Sequence, residues 1–251
     1  MPAPPSDHEV AANVATRAGQ LLLDLRAGVG STAHDWWSLR DEGDWSAHHF
    51  IVEALQELRP DDKVLSEEGM EDRTRLGAER VWIVDPLDGT REFGEPGRTD
   101  WAVHVALVDG KGQPLAGAVA LPAVGITLAT DPAPVLPPRR EGPPRVIVSR
   151  SRPPAVALRV AEAIGGDLIA MGSAGAKAMA VVLGEADVYA HAGGQYEWDN
   201  CAPAAVAAAA GLHASRIDGR PLVYNQPDPW LPDLLICRPE YVEAAINAIV
   251  G

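Results

Sequence analysis

Hydrophobic positions along the chain change period twice, and the changes divide it. Ser6-Asp-His-Glu9 has the form of a capping box. Val10, Val14, Ala18, Leu21 and Leu25 then recur at helical spacing up to Gly28, which predicts a first helix. Residues 30–43 are mixed, with Trp36 and Trp37, and read as a loop or hairpin. Phe50, Ile51, Ala54, Leu55 and Leu58 line one face of a second helix over 46–59, with Pro60 as its stop. Short apolar runs rich in β-branched residues follow at 63–65, 81–84, 101–108, 115–121 and 126–129. With Asp109-Gly110 as a turn, they predict strands that end in an antiparallel meander. Six prolines mark 131–144 as a connector. Beyond it, strands (146–149, 167–171, 187–190, 234–237) alternate with helices (153–164, 174–183, 200–210, and a last one from Pro239). The pattern predicts an α+β half over 1–135 and an α/β half over 143–251, hence an α/β chain overall.

Composition narrows the partners. The 251 residues carry a net charge of −14, which excludes a nucleic-acid polymer, since a phosphate backbone needs a basic surface. A small phosphorylated ligand remains compatible. No apolar run approaches the ~20 residues of a membrane span, and Met1-Pro-Ala-Pro-Pro-Ser-Asp7 lacks the basic and apolar regions of a signal peptide. Cys201 and Cys237 are the only cysteines, which favours a reducing, cytoplasmic setting.

Candidate chemistry begins where the run at 81–84 ends in Asp85-Pro-Leu-Asp88-Gly-Thr90. Two carboxylates this close raise each other's pKa unless a cation lies between them, and hard oxygen donors suit Mg²⁺, Mn²⁺ or Ca²⁺. Asp-Pro and Asp-Gly are also ordinary turn dipeptides. Ser66-Glu67-Glu68 stands at the exit of its own short strand, where paired glutamates otherwise mark a solvated surface. Trp198-Asp199 precedes an Ala-rich helix, for which Asp199 also reads as an N-cap.

Taken together, Ser66-Glu67-Glu68, Trp82-Ile-Val-Asp85-Pro-Leu-Asp88-Gly-Thr90 and Trp198-Asp199-Asn-Cys-Ala202 resemble the inositol monophosphatase superfamily of Mg²⁺-dependent phosphatases. The resemblance extends to Asp44 and to Gly219-Arg-Pro-Leu-Val-Tyr-Asn225, so it spans most of the chain. It implies a layered αβαβα sandwich of the sugar-phosphatase type, with phosphomonoester hydrolysis between its halves. It also implies two or three Mg²⁺, replaceable by Mn²⁺ and displaced by inhibitory Li⁺. Glu67, Asp85 and the Leu87 carbonyl would hold one cation, and Asp85, Asp88 and Asp199 a second. Glu67 and Thr90 would activate the water, with Asp44 orienting the Thr90 hydroxyl. Asp44 also stands where an N-cap for the second helix would go. A homodimer is implied by the same analogy. One departure is that 30–43 holds Arg40 where the family often has a lysine.

Arg91-Glu92-Phe93, Val148-Ser-Arg-Ser-Arg152 and Gly172-Ser-Ala-Gly-Ala-Lys177 resemble the 3′(2′),5′-bisphosphate nucleotidase (CysQ-like) branch. The activity implied is removal of the 3′-phosphate of adenosine 3′,5′-bisphosphate and of its sulfated precursor, in support of sulfate assimilation. The alternatives are inositol 1-phosphate or fructose 1,6-bisphosphate as substrate, or a non-catalytic metal- and nucleotide-binding module. Gly89 and Thr90 amides would bind phosphate oxygens. Lys177, one of three lysines, with Ser149, Arg150 and Ser173, would hold a second phosphate. Lys177 also reads as a solvated helix residue, and Arg91 as a partner of Glu92 or Glu95 instead of substrate. Tyr196 and Glu197 are placed in the pocket by position alone, and His104 reads as a strand-face histidine.

Overall fold

A computed structural model describes residues 4–29 and 32–250. The first half opens with α1 (Asp7–Ala27) and α2 (Ala33–Leu58), followed by β1 (Lys63–Ser66), β2 (Arg80–Asp88), the single turn α3 (Thr90–Phe93), β3 (Ala102–Asp109), β4 (Pro114–Leu121) and β5 (Ile126–Ala129). These strands form one sheet in chain order, parallel between β1 and β2 and antiparallel thereafter, the expected meander. The second half runs β6 (Arg145–Ser149), α4 (Ala155–Ile164), β7 (Asp167–Met171), α5 (Ala174–Val182), β8 (Val188–Tyr196), α6 (Glu197–Ala209), β9 (His213–Ser215), β10 (Trp230–Cys237) and α7 (Val242–Val250). Its sheet has the order β7-β6-β8-β10-β9, with β6 parallel to both neighbours and β10 antiparallel to both of its own.

α1 and α2 pack on one face of the first sheet, α5 and α6 lie between the sheets, and α4 and α7 cover the outer face of the second. The expected αβαβα layering is therefore present. A core cluster that includes Ile83, Val119, Met179, Val206 and Ile236 runs through both sheets and the helices between them. Among the described residues no helix is long and apolar enough to cross a membrane.

α1 starts as predicted, with the Ser6 hydroxyl accepting the Glu9 amide at 3.2 Å and the Glu9 carboxylate accepting the Ser6 amide at 2.7 Å. α2 does not. The stretch at 30–43, read as a loop or hairpin, is helical from Ala33; its Gly30 and Ser31 lie outside the described residues. Thr32 and Asp35 form a second capping box there. Leu39, Gly43, Ala47, Ile51 and Leu55, each four apart, are the buried stripe. Gly43 belongs to that stripe because a β-carbon on it would lie 2.7 Å from Phe93 Cε1 and 3.0 Å from Leu87 Cδ2. The glycine lets α2 close onto the end of β2. Asp44 is thus in mid-helix and caps nothing.

The Asp7 carboxylate ties the start of α1 to Arg59 at 2.8 Å and to Arg80 at 2.9 Å. Arg80 also pairs with Asp62, which accepts the Trp82 indole N–H at 2.8 Å. Burial raises the Asp7 pKa, but hydrogen bonds from Arg80 and Arg59 outweigh it and hold the group below its ordinary value. A carboxyl with a depressed folded pKa stabilises fully above the unfolded value of about 3.9 and loses that contribution as pH falls through the folded one. Asp7→Asn is therefore expected to cost about 1 kcal/mol near neutral pH, after allowance for solvent screening. The deficit should shrink in acid, as urea melts near pH 7 and pH 3 would read.

Candidate active site

The parallel register of β1 and β2 sets Ser66 beside Val84, so Glu67 and Asp85 leave adjacent strands at the same edge. Residues three apart on a regular strand face opposite ways. Between Asp85 and Asp88 the pairing slips: Asp85 stands opposite His104 and Asp88 opposite Ala102, three steps against two. This one-residue bulge returns Asp88 to the face that Asp85 uses. Pro86, which has no N–H to donate, sits within the bulge, and Asp85 Oδ1 accepts the Leu87 amide at 3.1 Å. The chain then turns at Gly89, whose φ of +86° is left-handed and whose added β-carbon would lie 3.0 Å from Ser173 Cβ.

From the second half, α6 brings Asp199 in its first turn, with the carboxylate accepting the Tyr196 amide at 2.5 Å. One carboxylate oxygen from each of Asp85, Asp88 and Asp199 lies within 4.8 Å of the others. Glu67 is exposed as a residue, and its carboxyl end stands among these acids at the exit of β1. Burial, then the charge of Asp199, lifts Glu67 to about 7. Burial, then Glu67 and Asp88, pushes Asp85 well up. Burial, then Asp88, brings Asp199 to about 6. Among the described residues, no lysine or arginine forms an ion pair with Glu67, Asp85 or Asp199. Hard oxygen donors, gathered and mutually repelling, fit a divalent cation, which would lower all three pKa values together.

Asp88 differs. Its Oδ1 accepts the Ala174 amide at 3.0 Å; its Oδ2 accepts the Ser173 hydroxyl at 2.5 Å and the Gly175 amide at 2.6 Å, with His104 Nε2 at 3.2 Å. Burial raises its pKa, but His104, Lys177 and Ser173 outweigh that and hold it at about 2. Oδ1 keeps a lone pair for a cation. His104, read from sequence as an ordinary strand-face residue, is fully buried at this junction. Its Nδ1 lies 3.0 Å from the Trp198 carbonyl, so one ring joins the β2 acids to the backbone just ahead of Asp199. Gly175 makes room for it, since a β-carbon there would lie 2.0 Å from His104 Nε2.

The Thr90 hydroxyl lies 3.2 Å from Asp44 Oδ1 and 3.1 Å from the Leu87 carbonyl. Burial, then Glu68, raises Asp44 to about 7.

The residues expected to hold a second phosphate are not gathered as a free cationic patch. Lys177 is buried, and its ammonium donates to the carbonyls of Gly172 (3.1 Å) and Ser173, so it is neither solvated nor projecting into the cleft. Arg150 pairs with Glu92 at 2.5 Å and Glu95 at 2.7 Å. Ser173 caps α5 and bonds Asp88, while Ser149 Oγ is 3.4 Å from Ser151 Oγ. Glu197 is fully buried and accepts the amides of Asn225 (2.6 Å) and Gln226 (2.8 Å), which turns it toward that loop instead of the pocket. Arg91 stays exposed, 3.9 Å from Glu95, and Tyr196 is exposed beside Asp199.

This arrangement has relatives. The model of the inositol monophosphatase family matches residues 8–131 and 145–249. A 3′-phosphoadenosine 5′-phosphate phosphatase of Mycobacterium tuberculosis (strain CDC 1551 / Oshkosh) is 51% identical over 92% of this chain and 89% of its own. The 3′(2′),5′-bisphosphate nucleotidase CysQ of Escherichia coli (strain K12) is 33% identical over 75% of this chain and 80% of its own. The crystal structure of CysQ from Bacteroides thetaiotaomicron superposes with a TM-score of 0.76 at 27% identity, covering 91% of this chain and 96% of that one. With matches this extensive in sequence and fold, the chain belongs to the inositol monophosphatase family.

Proposed function

We propose that this chain is a divalent-metal-dependent phosphatase that removes the 3′-phosphate of adenosine 3′,5′-bisphosphate, and of its sulfated precursor, by hydrolysis. What carries the reading is the convergence of Asp85, Asp88 and Asp199 from both halves, in a chain half identical to a phosphatase named for that nucleotide. Mg²⁺ is the cation proposed, held by Glu67, Asp85 and the Leu87 carbonyl at one position and by Asp85, Asp88 and Asp199 at a second. Mn²⁺ would substitute, and Li⁺ would compete. The buried, unpaired Cys201 and Cys237 accord with a reducing cytoplasm, and a homodimer is proposed after the family.

When bound, the cations supply positive charge that draws electrons from phosphorus and offsets charge building on its oxygens. The chain's own groups do the rest. Water attacks phosphorus in line with the 3′-oxygen; that P–O bond breaks with its electron pair staying on the 3′-oxygen, which takes a proton from solvent water to leave as the hydroxyl. Glu67 stands at the edge of the acid cluster to accept a proton from the water. The Thr90 hydroxyl has two acceptors for its own proton, Asp44 and the Leu87 carbonyl, so its lone pairs would accept from the water. Of the cations expected at the substrate, exposed Arg91 would meet the 5′-phosphate, with the Gly89 and Thr90 amides serving the reacting one.

Phosphate release from adenosine 3′,5′-bisphosphate, inositol 1-phosphate and fructose 1,6-bisphosphate under Mg²⁺, with LiCl titrated in, tests the reading. The nucleotide is expected to have the highest kcat/KM by at least about tenfold, a difference of roughly 1.4 kcal/mol in transition-state binding. Faster turnover of either competitor would overturn the substrate assignment.

A further inference from the structure

Resting on the nucleotide reading above, we propose that the outer face of the Tyr196 ring is the platform on which the substrate's purine base stacks, and that it sets the preference for a nucleotide over other phosphate esters. β8 ends at Tyr196 and α6 begins at the next residue, which puts Tyr196 three positions ahead of Asp199. The Tyr196 amide donates to the Asp199 carboxylate at 2.5 Å, which ties this residue's backbone to the cluster.

The ring is held flat. Tyr196 and Trp198 stack with centroids 4.8 Å apart and planes 8° from parallel. Trp198 in turn packs against the core, so it covers the inner face of the tyrosine. Tyr196 is nonetheless 45% exposed, so the stack leaves a large part of the residue open to solvent. Trp230 pairs opposite Tyr196 across β8 and β10 and is itself 49% exposed. Gly194, at φ +93°, gives the indole its place, because a β-carbon there would lie 2.6 Å from Trp230 Nε1. Three aromatic residues thus gather on the rim beside a cluster of carboxylates.

Charge offers the base little at this rim. Lys177 and Arg150 are spent on internal partners, and the neighbouring groups are acidic. A neutral, flat heterocycle needs no counter-charge and gains from an aromatic ring already immobilised, since little side-chain freedom remains to be lost. Inositol and sugar phosphates have no such face to offer, so the platform favours one class of ester. A tyrosine that merely shields Trp198 would act on stability and on every ligand alike.

The test compares Tyr196→Ala and Tyr196→Phe with the unsubstituted enzyme in three readouts: KM and kcat for adenosine 3′,5′-bisphosphate, inhibition by adenosine 5′-monophosphate, and inhibition by inorganic phosphate. Tyr196→Ala is expected to raise KM and the nucleotide inhibition constant roughly 10- to 100-fold, the size of one lost base–aromatic stack. The loss falls on KM instead of kcat, the phosphate inhibition constant stays within about twofold, and Tyr196→Phe restores the nucleotide values. Equal shifts for nucleotide and phosphate, or no shift in either, would overturn the platform. Failure of the unsubstituted enzyme to turn over the nucleotide would overturn the substrate reading beneath it, and that control is read before any variant.

Discussion

Asp85→Asn is expected to lower kcat/KM on the order of 10³-fold, at the upper end of what one misplaced electrostatic group costs an active site. The same substitution should make the cation-free protein more stable. Asp85 is buried where burial and the charges of Glu67, Asp88 and Asp199 all oppose ionisation. Asparagine keeps the shape and removes one of the mutually repelling charges. The two effects separate when unfolding is followed with and without Mg²⁺. A ligand that binds only the native state at a hundred times its Kd adds about 2.7 kcal/mol. The unsubstituted chain should show a rise of that order, and Asp85→Asn should show little or none from a higher starting point. An unchanged Mg²⁺-induced rise would mean that Asp85 holds no cation, and the proposed chemistry would lose its centre.

How much of this was legible in advance depended on whether a signal was local. The run into Asp85, the paired exits of β1 and β2, the capping box at Ser6 and the antiparallel meander all follow from short-range pattern, and the structure has them. What was misread depends on contacts across the chain. Gly43 closes the stretch read as a loop or hairpin; its small size serves contact with Phe93 and Leu87, and the four-residue rhythm from Leu39 to Leu55 passes through it. That rhythm and the Thr32–Asp35 box were the available signals for the longer α2. His104 alternates with apolar neighbours like any strand residue, and only the packing of α5 and α6 against β3 reveals its role. Glu197, placed by its nearness to Asp199, and Lys177, placed by resemblance, face backbone amides and carbonyls that sequence alone does not place. Adjacency in sequence does not set which way a side chain faces on an element whose successive side chains point different ways.

Thr90→Val is expected to reduce kcat roughly 10²- to 10⁴-fold, the range that a positioned proton-transfer group contributes. Valine matches threonine in shape, so the turn at Gly89 and the cation sites should survive, and calorimetric Mg²⁺ binding checks that they do. Asp44 enters through the same hydroxyl, at 3.2 Å, from a helix that reaches it only because Gly43 permits close approach. Asp44→Asn keeps an acceptor for the Thr90 proton, so its loss should be smaller, on the order of tenfold. It also removes a buried acid that burial and Glu68 have raised to about 7, which should stabilise the fold slightly. If Asp44 works by orienting Thr90, the losses are not additive, and the double variant should be no slower than Thr90→Val alone. Multiplying losses would instead separate the two residues and leave Asp44 an independent role in the site. Kinetics of the four proteins at saturating Mg²⁺ decide between these outcomes.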